Sequence, residues 1–195
     1  MRIVPGLVSI TFRDLRVEEI IRLAADSRLE AVEWGGDIHV PHGDLKQARE
    51  VRRLSHEAGL DTPSYGSYYR VGEANETAFD VVAETALELG ASTVRVWAGR
   101  CGSDKADTAY WQRVIDDSLR CADTAGSLGL DIACEFHRNT LTDSTEAATR
   151  LLRHTLHPHR RIYWQPLRML TFEQQKQSLV GVVPELGNIH VFSWG

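Results

Sequence analysis

The sequence predicts an α/β protein, a parallel (β/α)8 barrel that breaks off after its seventh strand. Three observations lead there. Short β-branched runs alternate with amphipathic stretches along the whole 195 residues. The step from one run to the next stays between 27 and 38 residues. No glycine-rich loop follows the first run, where Ser9-Ile10-Thr11-Phe12-Arg13 stands. Alternation requires parallel strands joined by right-handed crossovers. The even step favours closure into a barrel, and the missing fingerprint disfavours a dinucleotide-binding sheet.

The first strand is read over Leu7-Val8-Ser9-Ile10. Val17, Ile20, Ile21, Leu23 and Ala24 then recur at helical spacing. Ala31-Val32-Glu33-Trp34 is the second strand, closed by Gly35-Gly36, and Leu45 to Ala58 is a helix ended by Gly59. Pro63-Ser64-Tyr65 opens the third unit, whose helix runs from about Glu76 to Leu89. Thr93 to Trp97 leads to a helix from Thr108 to Leu128, and Ile132 to Phe136 to one from Ser144 to His154. Ile162 to Gln165 precedes a helix from Phe172 to Val182, and Ile189-His190-Val191-Phe192 is the last strand.

Seven strands are counted, whereas a closed barrel needs eight and usually about 250 residues. The chain stops at Ser193-Trp194-Gly195, so residues 1–195 read as one domain that lacks its eighth strand and last helices. An open seven-stranded barrel would leave two unpaired edges. On the truncated reading those edges pair with something, and a homodimer or swapped strands is expected.

A hydrophobic share of 43% with 25% charged residues describes an ordinary globular chain. The formal net charge of -5 opposes nucleic acid, which would need a local basic patch. Cys101, Cys121 and Cys134 are odd in number and lack C-x-x-C spacing, so neither a disulfide framework nor structural zinc is indicated. No run reaches membrane-spanning length and the N-terminus has no long apolar stretch. A cytoplasmic protein with no membrane partner is expected.

Chemistry in a parallel barrel sits where the strands end. Those positions hold Glu33 and Trp34, Tyr65 and Ser67, Arg95 and Trp97, Glu135 and His137, Gln165 and Arg168, and His190. Glu135 and His137 share one face of their strand, while Cys134 and Phe136 turn to the helices. A carboxylate converging with imidazoles suits Mg, Mn, Co or Zn, which would polarise a carbonyl for proton transfer beside it. Glu33 is a candidate base or orienting group, with Glu135 and His137 the other catalytic candidates. Trp34, His39, Tyr65, Arg95, Trp97, Gln165 and Arg168 are candidate substrate contacts. Arg95 has two readings, a ligand for anions or hydroxyls and an ion-pair partner of Glu33 or Glu135. The tryptophans equally serve packing, and His42 lies on the functional side with His39. His154, His157 and His159 with Arg160 and Arg161 fall at the opposite end and read as a solvated loop.

Glu33-Trp34-Gly35-Gly36-Asp37-Ile38-His39, Thr93 to Gly99, Cys134-Glu135-Phe136-His137 and Ile189 to Phe192 resemble the xylose isomerase-like TIM barrels. That superfamily is also described as sugar phosphate isomerases/epimerases or AP endonuclease family 2. The resemblance runs along essentially the whole chain and implies a sugar isomerase or epimerase acting on a small carbohydrate or keto-acid. It further implies a metal held by a strand-five Glu, a strand-six acid, a strand-seven His and a strand-eight Glu. Glu135 and His190 match two of these. Gln165-Pro166-Leu167-Arg168 stands where an Asp and its neighbouring His would be, and the strand-eight Glu has no counterpart. A neutral amide is the weaker ligand, and Arg168 adds positive charge. The chain as it stands is therefore expected to bind metal weakly or not at all and to be inactive. A lyase such as a dehydratase and a non-catalytic sugar-binding barrel are the alternatives. A DNA-repair endonuclease would need many more His, Asp and Glu ligands.

Overall fold

The computed structural model describes residues 3–192. Strands and helices alternate as β1 (Gly6–Val8), α1 (Val17–Asp26), β2 (Ala31–Gly35), α2 (Leu45–Glu57), β3 (Ser64–Arg70), α3 (Phe79–Leu89), β4 (Thr93–Trp97), α4 (Thr108–Ser127), β5 (Asp131–Glu135), α5 (Thr145–His154), β6 (Arg160–Trp164), α6 (Phe172–Val182) and β7 (Leu186–Ile189). The strands form one sheet in chain order, β1 through β7. Its defined registers are parallel, from Gly6 beside Ala31 to Trp164 beside Ile189. Among the described residues no helix is long and apolar enough to cross a membrane.

The chain packs as two compact units. The first holds residues up to Tyr68 with Thr77–Val94 and Leu128–Leu130. All five residues of β2 are buried, and α1 buries Val17, Ile20, Ile21 and Ala24 at the spacing the sequence shows. Asp44 caps α2 by accepting from the Gln47 N–H, and α3 ends on Gly90 in the left-handed conformation (φ 80). The second unit holds Tyr69–Glu76, Arg95–Ser127 and residues from Asp131 onward. Its core joins Ile132, Cys134 and Ile162 of the sheet to Trp111, Val114, Cys121 and Ala125 of α4 and to Leu151 of α5. Ser144 caps α5, and Thr171 with Gln174 forms a capping box on α6.

Four local expectations need correction. Only Gly6–Val8 pairs in β1, and Ser9–Phe12 turns into a 3-10 helix. The Ser9 hydroxyl is diverted to the loop after β2, where it accepts from the Gly35 N–H at 2.9 Å. β3 runs on to Arg70 through a polar, tyrosine-rich segment, and α3 starts at Phe79 rather than Glu76. β7 begins at Leu186, after a 3-10 turn over Val183–Glu185 set by Pro184, and ends at Ile189. Finally, Arg160 is buried rather than solvated. Its guanidinium donates to the carbonyls of Thr155 (2.8 Å) and Leu152 (3.1 Å) and reaches Glu185 (3.2 Å). The segment Ser193-Trp194-Gly195 lies outside the described residues.

Candidate active site

Glu135 ends β5 in the second unit and is 5% exposed. Its backbone is held on both sides: the Thr142 hydroxyl donates to its carbonyl (2.5 Å), and the next N–H, that of Phe136, donates to Tyr163 (2.9 Å). The side chain lies among three polar neighbours. Oε2 accepts from the Arg95 guanidinium and from the Trp97 indole N–H at 2.5 Å. Oε1 lies 3.3 Å from His190 Nδ1. The same nitrogen is 3.4 Å from Gln165 Oε1. Gln165 is oriented by its own amide N–H, which donates to the Phe136 carbonyl at 2.5 Å and so turns Oε1 toward the imidazole. His190 is placed by its backbone N–H, donated to Trp164 at 2.9 Å, and its ring rests on Tyr163 at 4.4 Å between centroids.

Burial alone would raise the Glu135 pKa; the Arg95 charge, then His190 and Trp97, outweigh it and hold the carboxyl below its ordinary value. Of the two sequence readings of Arg95, the structure gives the ion pair with Glu135. With 2% exposure Arg95 presents little surface to a ligand. The pair is the kind that costs most when broken on one side.

Trp97 connects this buried pair to the half-exposed rim. His137 lies with its ring centroid 4.6 Å from that of Trp97. Its Nδ1 sits 2.8 Å from the Arg138 carbonyl. A carbonyl only accepts, so Nδ1 carries the hydrogen there and Nε2 is the acceptor nitrogen in the neutral ring. Arg70, at the end of β3, places its guanidinium carbon 4.2 Å from the Trp97 ring centroid. The sequence reading did not single it out, because it ended the third strand at Tyr65. Arg168 is exposed in the segment between β6 and α6.

The remaining candidates belong to the first unit. Glu33 is 4% exposed and accepts from the Ser64 hydroxyl at 2.6 Å. Trp34 is fully buried, and its indole N–H meets no acceptor among the described residues. His39 is spent within a chain of three bonds. Gly35 N–H donates to Ser9 Oγ, the Ser9 hydroxyl donates to His39 Nδ1 (3.0 Å), and Nε2–H donates to the Leu15 carbonyl (3.2 Å). His42 donates Nε2–H to the Ser67 carbonyl (2.9 Å) and faces the Tyr65 hydroxyl with Nδ1 (2.7 Å). Burial lowers the pKa of both histidines.

A divalent metal can be weighed against these atoms. Among the described residues no three His, Cys, Asp or Glu side chains form a metal-holding group. Glu135 Oε1, His190 Nδ1 and Gln165 Oε1 do converge, two oxygens and a nitrogen of the right chemistry. Chemically the set suits a dication. Their charge favours it little, since Arg95 already neutralises the one carboxylate.

A family model described as xylose isomerase-like TIM barrel matches residues 21–192. The chain belongs to that family. Among curated proteins none matches the sequence. Solved structures similar to it are of the same xylose isomerase-like kind. One is the probable 3-DHS dehydratase AsbF, involved in petrobactin synthesis in Bacillus anthracis (TM-score 0.80, 18% identity, 94% of this chain and 71% of that one). Another is D-psicose 3-epimerase from Clostridium cellulolyticum H10, solved with D-tagatose (TM-score 0.76, 12% identity, 96% and 72%). A third is a xylose isomerase domain containing protein from Salmonella typhimurium LT2 (TM-score 0.74, 17% identity, 98% and 72%). At such identities the likeness establishes the fold, a (β/α)8 TIM barrel of which this chain carries seven strands.

Proposed function

We propose that this xylose isomerase-like barrel binds a small carbohydrate or keto-acid at the ends of β4 to β7 and moves a proton on the carbon beside the carbonyl, as an isomerase or epimerase does. The observation that carries the reading is the convergence of Glu135 Oε1, Gln165 Oε1 and His190 Nδ1. Rim residue His137 stands beside Trp97, which donates to the same Glu135.

In this assignment Glu135, Gln165 and His190 would hold a divalent cation such as Mn, Mg, Co or Zn, which when bound supplies polarisation of the substrate carbonyl. His137 accepts the substrate proton at Nε2, its tautomer fixed by the Arg138 carbonyl. Arg95 keeps Glu135 ionised, and Trp97 donates its indole N–H to the same carboxylate.

The test is proton exchange. D-Tagatose, D-fructose and a panel of sugar acids are incubated with the protein in D2O, with and without Mn, and the carbon next to the carbonyl is followed by NMR. Deuterium incorporation above the uncatalysed rate, lost in Glu135→Gln, is the expected result. Exchange at the uncatalysed rate with every substrate would overturn it.

A binding-only barrel is the second reading, favoured by the neutral amide of Gln165 and by the guanidinium on Glu135. Saturable sugar binding without exchange would select it.

A further inference from the structure

Arg70 is a cation built into the rim that has no ion-pair partner among the described residues, Glu73 acting on it only as a more distant charge. Its backbone is locked by Asn75, which accepts from the Arg70 N–H and donates to its carbonyl, both at 2.9 Å. The guanidinium spends one N–H on the Gly99 carbonyl at 2.9 Å and lies over the Trp97 ring at 4.2 Å. The nearest acid in sequence, Glu73, is engaged elsewhere. It accepts from the Tyr110 hydroxyl at 2.6 Å and pairs with Arg100 at 3.5 Å. Among the described residues no carboxylate comes within ion-pair distance of Arg70, in contrast to Arg53, Arg95, Arg120 and Arg160, each of which has one.

A half-buried guanidinium without a counterion carries a desolvation cost that an anion would relieve. Burial, then the Arg100 charge, pulls its pKa down against the weaker opposing pull of Glu73. Trp97 and Gly99 fix the position of the planar fork, so little rotamer entropy remains to be lost on binding. The place is also the right one. Trp97 carries Arg70 over its ring and gives its N–H to Glu135, so an anion on Arg70 belongs to a ligand whose other end reaches the proposed proton-transfer site.

We propose that Arg70 is the specificity residue that recognises a carboxylate on the substrate, so that the site takes a polyhydroxy keto-acid or sugar acid in preference to the neutral ketose. The inference rests on the functional reading above for the location of the ligand. A carboxylate is chosen over a phosphate because Arg70 has one N–H already committed and the neighbouring Arg100 is paired with Glu73. Phosphate sites bring together more donors.

The test uses matched ligands: D-fructuronate against D-fructose, D-tagaturonate against D-tagatose, and D-fructose 6-phosphate as the dianion. Binding to the whole chain is measured by calorimetry for the wild type, Arg70→Ala and Arg70→Lys, with circular dichroism as the check on folding. At least one acid should bind more tightly than its neutral partner by roughly ten- to hundredfold, the size of a charge-assisted hydrogen bond. Arg70→Ala should abolish that preference while changing neutral-sugar binding less than about twofold, and Arg70→Lys should keep part of it. Equal affinity for acid and neutral partner across the panel overturns the proposal, as does a preference that survives Arg70→Ala or tighter binding of the phosphate. If Arg70→Ala fails to fold, the graded loss in Arg70→Lys decides. Acid-selective binding without proton exchange would support this inference and sink the catalytic reading. Exchange with no acid preference would do the reverse.

Discussion

Arg95 and Glu135 form a buried ion pair, 2% and 5% exposed, between the middle of β4 and the end of β5. Each charge is tolerated because the other is there, and Trp97 and His190 satisfy what remains of the carboxylate. Removing one partner leaves the other charged and dry. Arg95→Met should therefore destabilise the chain by about 3–5 kcal/mol. Replacing both, as Arg95→Met with Glu135→Leu, should recover much of that loss. Urea denaturation of the single and double variants reads the difference, and a double variant as unstable as the single one would contradict the pairing argument.

The acid side of the stability profile should fall in two stages. His39 and His42 have folded pKa values below the ordinary 6.5, chiefly through burial. The unfolded chain then binds more protons, so their contribution is whole above pH 6.5 and is lost as pH falls through the folded values. Glu135 behaves alike one step lower. Burial opposes ionisation, but Arg95 leads the groups that pull its pKa under 4.5, so its contribution is present above pH 4.5 and fades below. Denaturation midpoints between pH 3 and 8 should show both stages. His42→Gln should flatten the upper one and Glu135→Gln the lower.

The alternation of short β-branched runs with 3.6-period stretches was enough to give the order of seven strands and six helices, though not the limits of β1, β3 and β7. Thr93–Trp97 and Phe172–Val182 were read at their observed limits. Glu135, Arg95, Gln165 and His190 also come together as their strand-end positions imply, since parallel strands deliver all their C-terminal ends to one side. Arg70 was missed for a local reason. Ser64-Tyr65-Gly66-Ser67-Tyr68-Tyr69-Arg70 holds no aliphatic residue, so nothing in it reads as an apolar strand, although its three tyrosines, a strand-favouring type, were a usable signal. Arg160 was taken for solvent-facing because its partners are carbonyls at Leu152 and Thr155, which no residue pattern reveals.

Gln165 is where metal affinity should be adjustable. Its Oε1 already faces His190 Nδ1, held there by the bond from its amide to Phe136. Gln165→Asp supplies the missing negative charge, though on a shorter side chain and without that bond, so Gln165→Glu is made alongside it. At least one should tighten Mn binding by roughly tenfold or more, the scale on which single changes around a metal site act. The wild type should bind more weakly than micromolar by isothermal titration. Micromolar binding by the wild type would show that the amide is no handicap, and no gain in either carboxylate variant would show that these three atoms are not the site.

His137 separates proton transfer from binding. Its ring nitrogen Nε2 is the acceptor because Nδ1–H is held by the Arg138 carbonyl, and the ring lies against Trp97 at the rim rather than in the buried cluster. A general base of this kind contributes about 10²–10⁴ in rate. His137→Gln should thus slow deuterium exchange by about that factor while changing ligand affinity by less than about threefold, because the residue is half-exposed and touches the carboxylate only through Trp97. Structural damage would instead weaken binding and exchange together, and would lower the denaturation midpoint. Rescue by added imidazole should restore part of the exchange rate at unchanged affinity, since a small diffusible base can occupy the space the ring vacates. Should His137→Gln exchange at the wild-type rate, the proton must go to another group and the assignment of His137 as the base fails.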